Sequence, residues 1–332
     1  MKRGWVPIAL MMALIVALGA YTQAHHSEFL GKLNLNSLLL EAMPLLLVSL
    51  GQLCALLVGG FDVSVGALMT ACVVTASFTL TPTMSTPALV LGAFAVVGVG
   101  LATGVFNAFL IRVVRLPSIL ATLGTLSILT GISLLLRSYP AGPINTDVAN
   151  LLTSSAGFVP YAFIGVVVLA VVADLWLYRS RGGLRLRAVG FDEASSRRLG
   201  MSAGRTIFLA FVVCSVITSL AAFFLAAEVQ IGSPIIGSQA LESIAAGVLG
   251  GASLAGGRGS FFGALLAAFF LSEIDNVLPL FQQPTEYADM TIGILILLAL
   301  VLYQAPELIA RARNARRRPA SLPAATGEAS AG

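Results

Sequence analysis

The sequence predicts an all-α, polytopic bundle of membrane-spanning helices, and three observations carry that prediction. Of 332 residues, 58% are hydrophobic and only 10% charged, against roughly 25% charged in an average soluble domain. Apolar runs of about 20 residues, the length that crosses a bilayer, recur from Trp5 to Tyr303 with no soluble-sized stretch between them. The runs lack the alternation of barrel strands, so the backbone must satisfy its polar groups within helices.

The first run, 5–22, follows Met1-Lys2-Arg3. The stretch Tyr21-Thr22-Gln23-Ala24-His25 offers a poor cleavage site, so an uncleaved span is expected rather than a signal peptide. Further spans are expected at 38–58, 63–81, 87–111, 116–136, 158–178, 206–227, 240–256, 260–278 and 290–304. That makes ten, with both termini on one side. The short, glycine-rich 240–256 also suits a re-entrant or broken helix, which brings the count into the range eight to ten.

Arginine placement tests the parity, because Lys and Arg collect on the cytoplasmic face. Lys2, Arg3, Arg112, Arg115, the arginines from Arg179 to Arg205, Arg258, Arg311, Arg313, Arg316, Arg317 and Arg318 all fall on one side. Only Lys32 and Arg137 fall on the other. Both termini are therefore expected in the cytoplasm. Residues 1–310 form one membrane domain with a cytoplasmic loop at 179–205. Residues 311–332, rich in Arg, Ala, Ser and Pro, read as a disordered tail whose basic part suits lipid headgroups. The pI of about 9.2 has this topological origin. Without aromatic interleaving or a recognition helix it does not point to nucleic acid.

Three stretches interrupt the apolar runs. In Gly59-Gly60-Phe61-Asp62-Val63-Ser64, two glycines break the chain beside a carboxylate and a hydroxyl. Asp62 can cap the following helix, or it can mark a transport pathway lined by a broken helix. In Gly190-Phe191-Asp192-Glu193-Ala194-Ser195-Ser196-Arg197-Arg198-Leu199-Gly200-Met201, one short surface helix is expected, capped by Asp192 and closed by Gly200. Its small Ala194-Ser195 side and its apolar Leu199 and Met201 suit docking to a partner protein. An interfacial helix lying on lipid is the plainer alternative.

The third stretch, Gly250 to Ser260, lacks the Gly-Lys-Ser/Thr ending of a phosphate loop and has Phe262 where a dinucleotide fingerprint needs glycine. ATP is not expected on this chain. Gly247/Gly251 and Gly259/Gly263 have the four-residue spacing of closely packed membrane helices, as has Gly100/Gly104, with Gly250, Gly256 and Gly257 between them. Asn107, well inside its run, can bond across helices or touch a hydroxylated solute. Glu273, Asp275 and Asn276, near a span end, are expected to be solvated. Cys54, Cys72 and Cys214 form no CxxC pair, and His25 and His26 have no metal-ligand spacing, so neither disulfide nor metal is expected.

Val58-Gly59-Gly60-Phe61-Asp62-Val63-Ser64-Val65-Gly66, Leu116-Pro117-Ser118-Ile119-Leu120-Ala121-Thr122-Leu123-Gly124 and the block from Ile244 to Ser260 together resemble a known family. It comprises the permease subunits of sugar-type ATP-binding-cassette (ABC) importers, the group of the ribose, xylose, arabinose, galactose and autoinducer-2 transporters. Phe61 and Val63 replace the usual Ile and Leu, and Ser118 stands where Phe is common, which bears on the solute if that helix lines the pathway. The resemblance implies a pair of permeases, a second copy or a paralogue, with two ATPase subunits carrying ATP and Mg below and a periplasmic solute-binding protein above. It implies a small sugar as solute and makes the 190–201 helix the coupling helix. The chain itself would perform no covalent chemistry. A branched-chain amino-acid-type permease, and an ion-coupled transporter using Asp62 or Glu242, are the alternatives.

Overall fold

The computed structural model describes residues 5–235 and 239–284, with six further positions between 287 and 297. The expected tenth span at 290–304 lies largely outside the described residues, and the tail 311–332 wholly so. In chain order the helices and strands are α1 (Trp5–His25), α2 (Lys32–Leu57), α3 (Val65–Thr79), α4 (Thr86–Arg112), α5 (Ser118–Leu136), β1 (Ala141–Pro143), α6 (Thr146–Thr153), β2 (Ser155–Ala156) and β3 (Val159–Pro160). They continue as α7 (Tyr161–Arg179), α8 (Arg181–Phe191), α9 (Glu193–Arg198), α10 (Ala203–Val229), β4 (Ile231–Gly232), α11 (Gln239–Leu249) and α12 (Phe261–Leu280).

Among the described residues, 7 helices are long and apolar enough to cross a membrane: most of α1, then α2, α4, α5, α7, α10 and α12. Two expected spans are shorter. The segment 63–81 holds α3, with 15 residues. The segment 240–256 holds only the 11 residues of α11 before the chain turns at Gly250 and Gly251. At about 1.5 Å per residue, neither helix alone reaches across the roughly 30 Å hydrocarbon core.

Apolar on all sides, α2 is the axis of the bundle, as such a helix must be when it is wrapped by others. Its residues from Ala42 to Leu57 are all buried. Helix α10, 27 residues long like α4, lies against α2, and the two approach so closely at Gly51 that a Cβ there would lie 2.8 Å from the Cys214 carbonyl. On the other side α10 packs on α4, and α12 and α11 close on α2. The outer helices present large apolar side chains outward, among them Leu91, Phe94, Leu135 and Val168, as a lipid-facing surface requires.

The two ends of the bundle differ. At one, Arg112, the α8–α9 segment and the α11–α12 turn lie together. At the other, β1 pairs antiparallel with β4, Ala141 opposite Gly232 and Pro143 opposite Ile231, and β2 pairs with β3. Asn145 caps α6 by accepting from the Asp147 and Val148 amides at 2.8 and 3.3 Å. This small cap was not expected from the sequence, since it is made of two- and three-residue strands. It also gives a reason for Arg137, the one arginine at that end among the described residues. Its guanidinium donates to Ser77 Oγ at 2.7 Å and the Ser77 carbonyl at 3.2 Å, and it lies 4.1 Å from the Phe78 ring centre.

Candidate functional site

All three interrupted stretches come together at the arginine-bearing end. Beyond α2 the chain turns tightly: Gly59 N donates to Leu56 O at 2.9 Å and Gly60 N to Ala55 O at 3.0 Å. That leaves the Leu57 carbonyl free to accept from Gly257 N, in the α11–α12 turn, at 2.9 Å. Gly190, near the end of α8, lies directly over this bond. A Cβ at 190 would overlap the Leu57 carbonyl and come within 2.7 Å of Gly257 N. Gly256, at φ +88°, would place a Cβ 2.6 Å from the Gly190 carbonyl and 2.7 Å from Gly59 N. Three segments distant in sequence therefore touch backbone to backbone, which only residues without side chains permit.

Beside this knot lies a buried polar network. Helix α3 begins at Val65 with Ser64 as N-cap, so Asp62 stands two residues ahead of the cap. Its Oδ1 accepts from the Ser64 amide at 3.0 Å and the Ser64 hydroxyl at 2.5 Å. Asn107 of α4 donates to Ser64 Oγ at 2.9 Å and more weakly to Asp62 Oδ2 at 3.4 Å, and accepts from Thr125 Oγ1 of α5 at 2.6 Å. The first turns of α5 also hold the break: Phe61 N donates to Ser118 Oγ and Val63 N to Thr122 Oγ1, both at 3.2 Å. With its amide NH2 turned toward the Asp62 carbonyl, Gln52 donates there at 3.1 Å and accepts from the Asp62 N–H at 3.3 Å. Asp62, Ser64, Asn107, Thr122 and Gln52 are all fully buried.

Asp62, Ser64, Asn107 and Ser118 thus form one cluster, and its interior is occupied by its own hydrogen bonds. Gln52, Thr122 and Thr125 complete it, though nothing in the sequence had singled them out. Thr122 and Thr125 sit one helical turn apart on α5, each able to return a bond to its own helix, and Gln52 is the one amide in the wholly buried part of α2 from Ala42 to Leu57. Those were the signals available.

The 179–205 loop holds two helices rather than one. Ser180 caps α8 by accepting from Gly183 N at 2.9 Å, and α9 follows after the single residue Asp192. Asp192 Oδ1 accepts from the Ala194 and Ser195 amides at 2.9 and 3.1 Å, and Ser195 Oγ donates to Oδ2 at 2.5 Å. These bonds, the Ser195 hydroxyl first, hold the Asp192 carboxyl below its ordinary range. The helix closes at Gly200, φ +77°, with Gly200 N on Arg197 O and Met201 N on Ser196 O, both at 3.0 Å, a Schellman closure.

Glu193 is shared by Arg197 at 2.6 Å and by Arg112, the last residue of α4, at 2.9 Å. Desolvation pushes the Glu193 carboxyl up, but the hydrogen bonds and charges of Arg197 and Arg112 outweigh it and leave it lowered. Phe191, 72% exposed, and Leu199, 75% exposed, project from the two ends of α9, with Ala194 and Ser195 exposed between them. Met201 is half-buried.

Helix α7 ties this loop to the third stretch. Asp174 caps α12 from outside its own helix, its carboxylate accepting from Ser260 Oγ and Phe261 N at 2.7 Å and from Phe262 N at 3.2 Å. Tyr178 donates to the Gly259 carbonyl at 2.7 Å, and Arg187 of α8 lies 4.8 Å from the Tyr178 ring centre. An acid inside an apolar run was the only sequence sign of Asp174.

The glycine pairing differs from the spacing-based expectation. Gly251 lies beyond α11 and Gly259 ahead of α12, so neither four-residue pair shares a helix face. Instead Gly250 and Gly263 pack on each other across α11 and α12. Gly247 faces the Leu56 side chain at 2.5 Å for a built Cβ, Gly251 faces Pro7 and Gly259 faces Leu53. Glu273 also departs from expectation: it is 2% exposed, packed beneath Gly19 of α1. Toward the opposite end, α2, α6 and α10 border a half-open pocket of about 180 Å³ lined by Ser37, Leu40, Glu41, Thr153, Phe224 and Glu228.

Comparison with known proteins gives a consistent assignment. A family model described as "Branched-chain amino acid transport system / permease component" matches residues 34–300. The autoinducer 2 import system permease protein LsrC of Enterobacter sp. (strain 638) is 33% identical over 294 residues, 87% of this chain and 84% of that one. LsrC of Klebsiella pneumoniae is 34% identical over 293 residues, covering 87% and 83%. A probable ABC transporter permease protein, y4mJ of Sinorhizobium fredii, is 30% identical over 299 residues, covering 88% and 86%. No solved structure gives a significant match. An all-α membrane bundle whose broken helices meet a capped surface helix thus joins this sequence kinship, and the chain belongs to that permease family.

Proposed function

We propose that this chain is the membrane-spanning subunit of an ABC importer in a bacterial inner membrane, passing a small sugar or similar polyol delivered by a periplasmic binding protein. ATP and Mg belong to separate ATPase subunits, which α9 meets through Phe191 and Leu199. A second permease, identical or paralogous, completes the pathway. The observation that carries the reading is the backbone contact of Gly190 with Leu57 and Gly257. A push on the α8–α9 segment acts at once on the α2–α3 and α11–α12 breaks, as alternating access through broken helices requires.

The names of the LsrC relatives, together with the three sequence patches, favour a sugar-like solute over a branched-chain amino acid. An ion-coupled mechanism would need a carboxylate open to the ion, whereas that of Asp62 is enclosed and bonded to Ser64 and Asn107.

The test is co-purification of the tagged chain from its host in mild detergent, followed by import assays in proteoliposomes with the recovered partners. Recovery of an ATPase with the parent, its loss with Leu199→Asp, and ATP-dependent uptake of a labelled sugar but not leucine are expected. Uptake driven by an ion gradient without ATP, or uptake of leucine alone, would overturn the assignment.

A further inference from the structure

We infer that Arg112 is the positioning residue that ties α9 to the α2–α3 break, with α4 as the rod between them; this rests on the permease reading above. Each link is a contact in the structure. Arg112 closes α4, where the helix dipole favours a cation, and it reaches Glu193 at 2.9 Å. It passes beneath the start of α10, where a Cβ on Gly204 would lie 3.4 Å from its guanidinium. Its Nε is buried without a hydrogen-bond partner, so the direction of the side chain is set by the ion pair rather than by α4 itself.

Five residues earlier, on the same unbroken helix, Asn107 holds Ser64 and Asp62. The rod is stiff because it is seated on α10: a Cβ at Gly104 would lie 2.8 Å from Val212 Cα, and one at Gly100 would lie 2.5 Å from Ser219 Cβ. Displacing α9 therefore pulls the end of α4 and moves the amide that orders the break.

The second arginine on Glu193 has a different role. Arg197 is on α9 itself, at i+4 from Glu193, and that pair stays within one helix. The Arg112 pair joins two elements. Both partners are partly exposed, 19% and 37%, so their attraction adds little to stability and its consequence is registration. This separates a positioning role from a structural one: breaking the pair should leave the fold and uncouple the transport.

The experiment uses the whole complex in proteoliposomes, measuring solute imported per ATP hydrolysed and ATPase retained on the chain. Arg112→Gln and Glu193→Gln are each expected to lower the import-to-hydrolysis ratio about 10-fold, the size of an ordinary coupling between sites, with the ATPase still bound. Arg197→Gln should stay within about twofold of the parent. The exchange Arg112→Glu with Glu193→Arg should recover most of the ratio, and Arg112→Lys, which keeps the charge, should retain it. Unchanged ratios in the single variants, an exchange no better than either one, or a lysine as defective as glutamine would overturn the inference while leaving the permease reading intact. A parent chain that neither retains an ATPase nor imports would overturn both.

Discussion

At the residue scale, Asp62 shows how a polar side chain is retained in an apolar bundle. Its carboxylate accepts two bonds from Ser64 and faces the Asn107 amide, so burial is matched by partners rather than left as an isolated charge. An asparagine at this position keeps an oxygen for Ser64, while its NH2 would oppose the NH2 of Asn107. We expect Asp62→Asn to fold and transport nearly as the parent does. Asp62→Ala leaves the Ser64 amide without its acceptor, at about 1–3 kcal/mol for such a buried group, and takes one acceptor from the Asn107 NH2 as well. Thermal unfolding in detergent and import in proteoliposomes check both. Loss of transport in a stably folded Asp62→Asn would show that the charge itself acts on the solute. The sequence showed that Asp62, Ser64 and Asn107 were unusual, because polar groups in apolar runs stand out, and that Ser118 was, because it departs from the family pattern. It did not show that they meet, since that depends on how α4 and α5 cross the break.

At the element scale, α9 was legible almost to the residue, because its signals are local: an Asp before the first turn, an acid within it, arginines at its end and a glycine beyond. The α8 helix was not, because Arg181 to Phe191 carries two glycines near its start and owes its helicity to burial of Gly183, Leu186 and Val189. The cap also fixes a pH response. The Asp192 carboxyl lies below its ordinary value, so its contribution to α9 is present above an unfolded value near pH 4. It is lost as pH falls through the lower folded value, since protonation removes the acceptor. Hydrogen exchange should accordingly find the Ala194 and Ser195 amides protected at neutral pH, and selectively faster in Asp192→Ala than in Asp192→Asn. Equal protection in the alanine variant would mean that packing rather than the cap holds the helix. Span length was the weaker reading: α3 and α11 are apolar enough to pass for crossings, and only their geometry shows them to be short.

At the scale of the whole molecule, the contacts among the described residues separate two ends of the bundle. The ends that carry Arg112, Arg187 and Arg258 adjoin the glycine knot, while Tyr139, Phe158 and the strand pairs occupy the opposite end. Cysteine labelling tests this directly, because Cys54, Cys72 and Cys214 are all buried and give a quiet background. A cysteine in place of Leu199 should react with a membrane-impermeant maleimide in inside-out vesicles only, and one in place of Tyr139 in right-side-out vesicles only. Labelling of both from one side would refute the bundle's orientation.

The backbone contact among Gly59, Gly190, Gly256 and Gly257 bears on how such a protein diversifies. A joint made of peptide groups has no side chain to exchange, so selection for a new cargo has almost nothing there to act on. A library selected for import of an unfamiliar solute should therefore collect its changes in the opposite half of the bundle, around Ser37, Glu41, Thr153, Phe224 and Glu228, and return the glycine joint untouched.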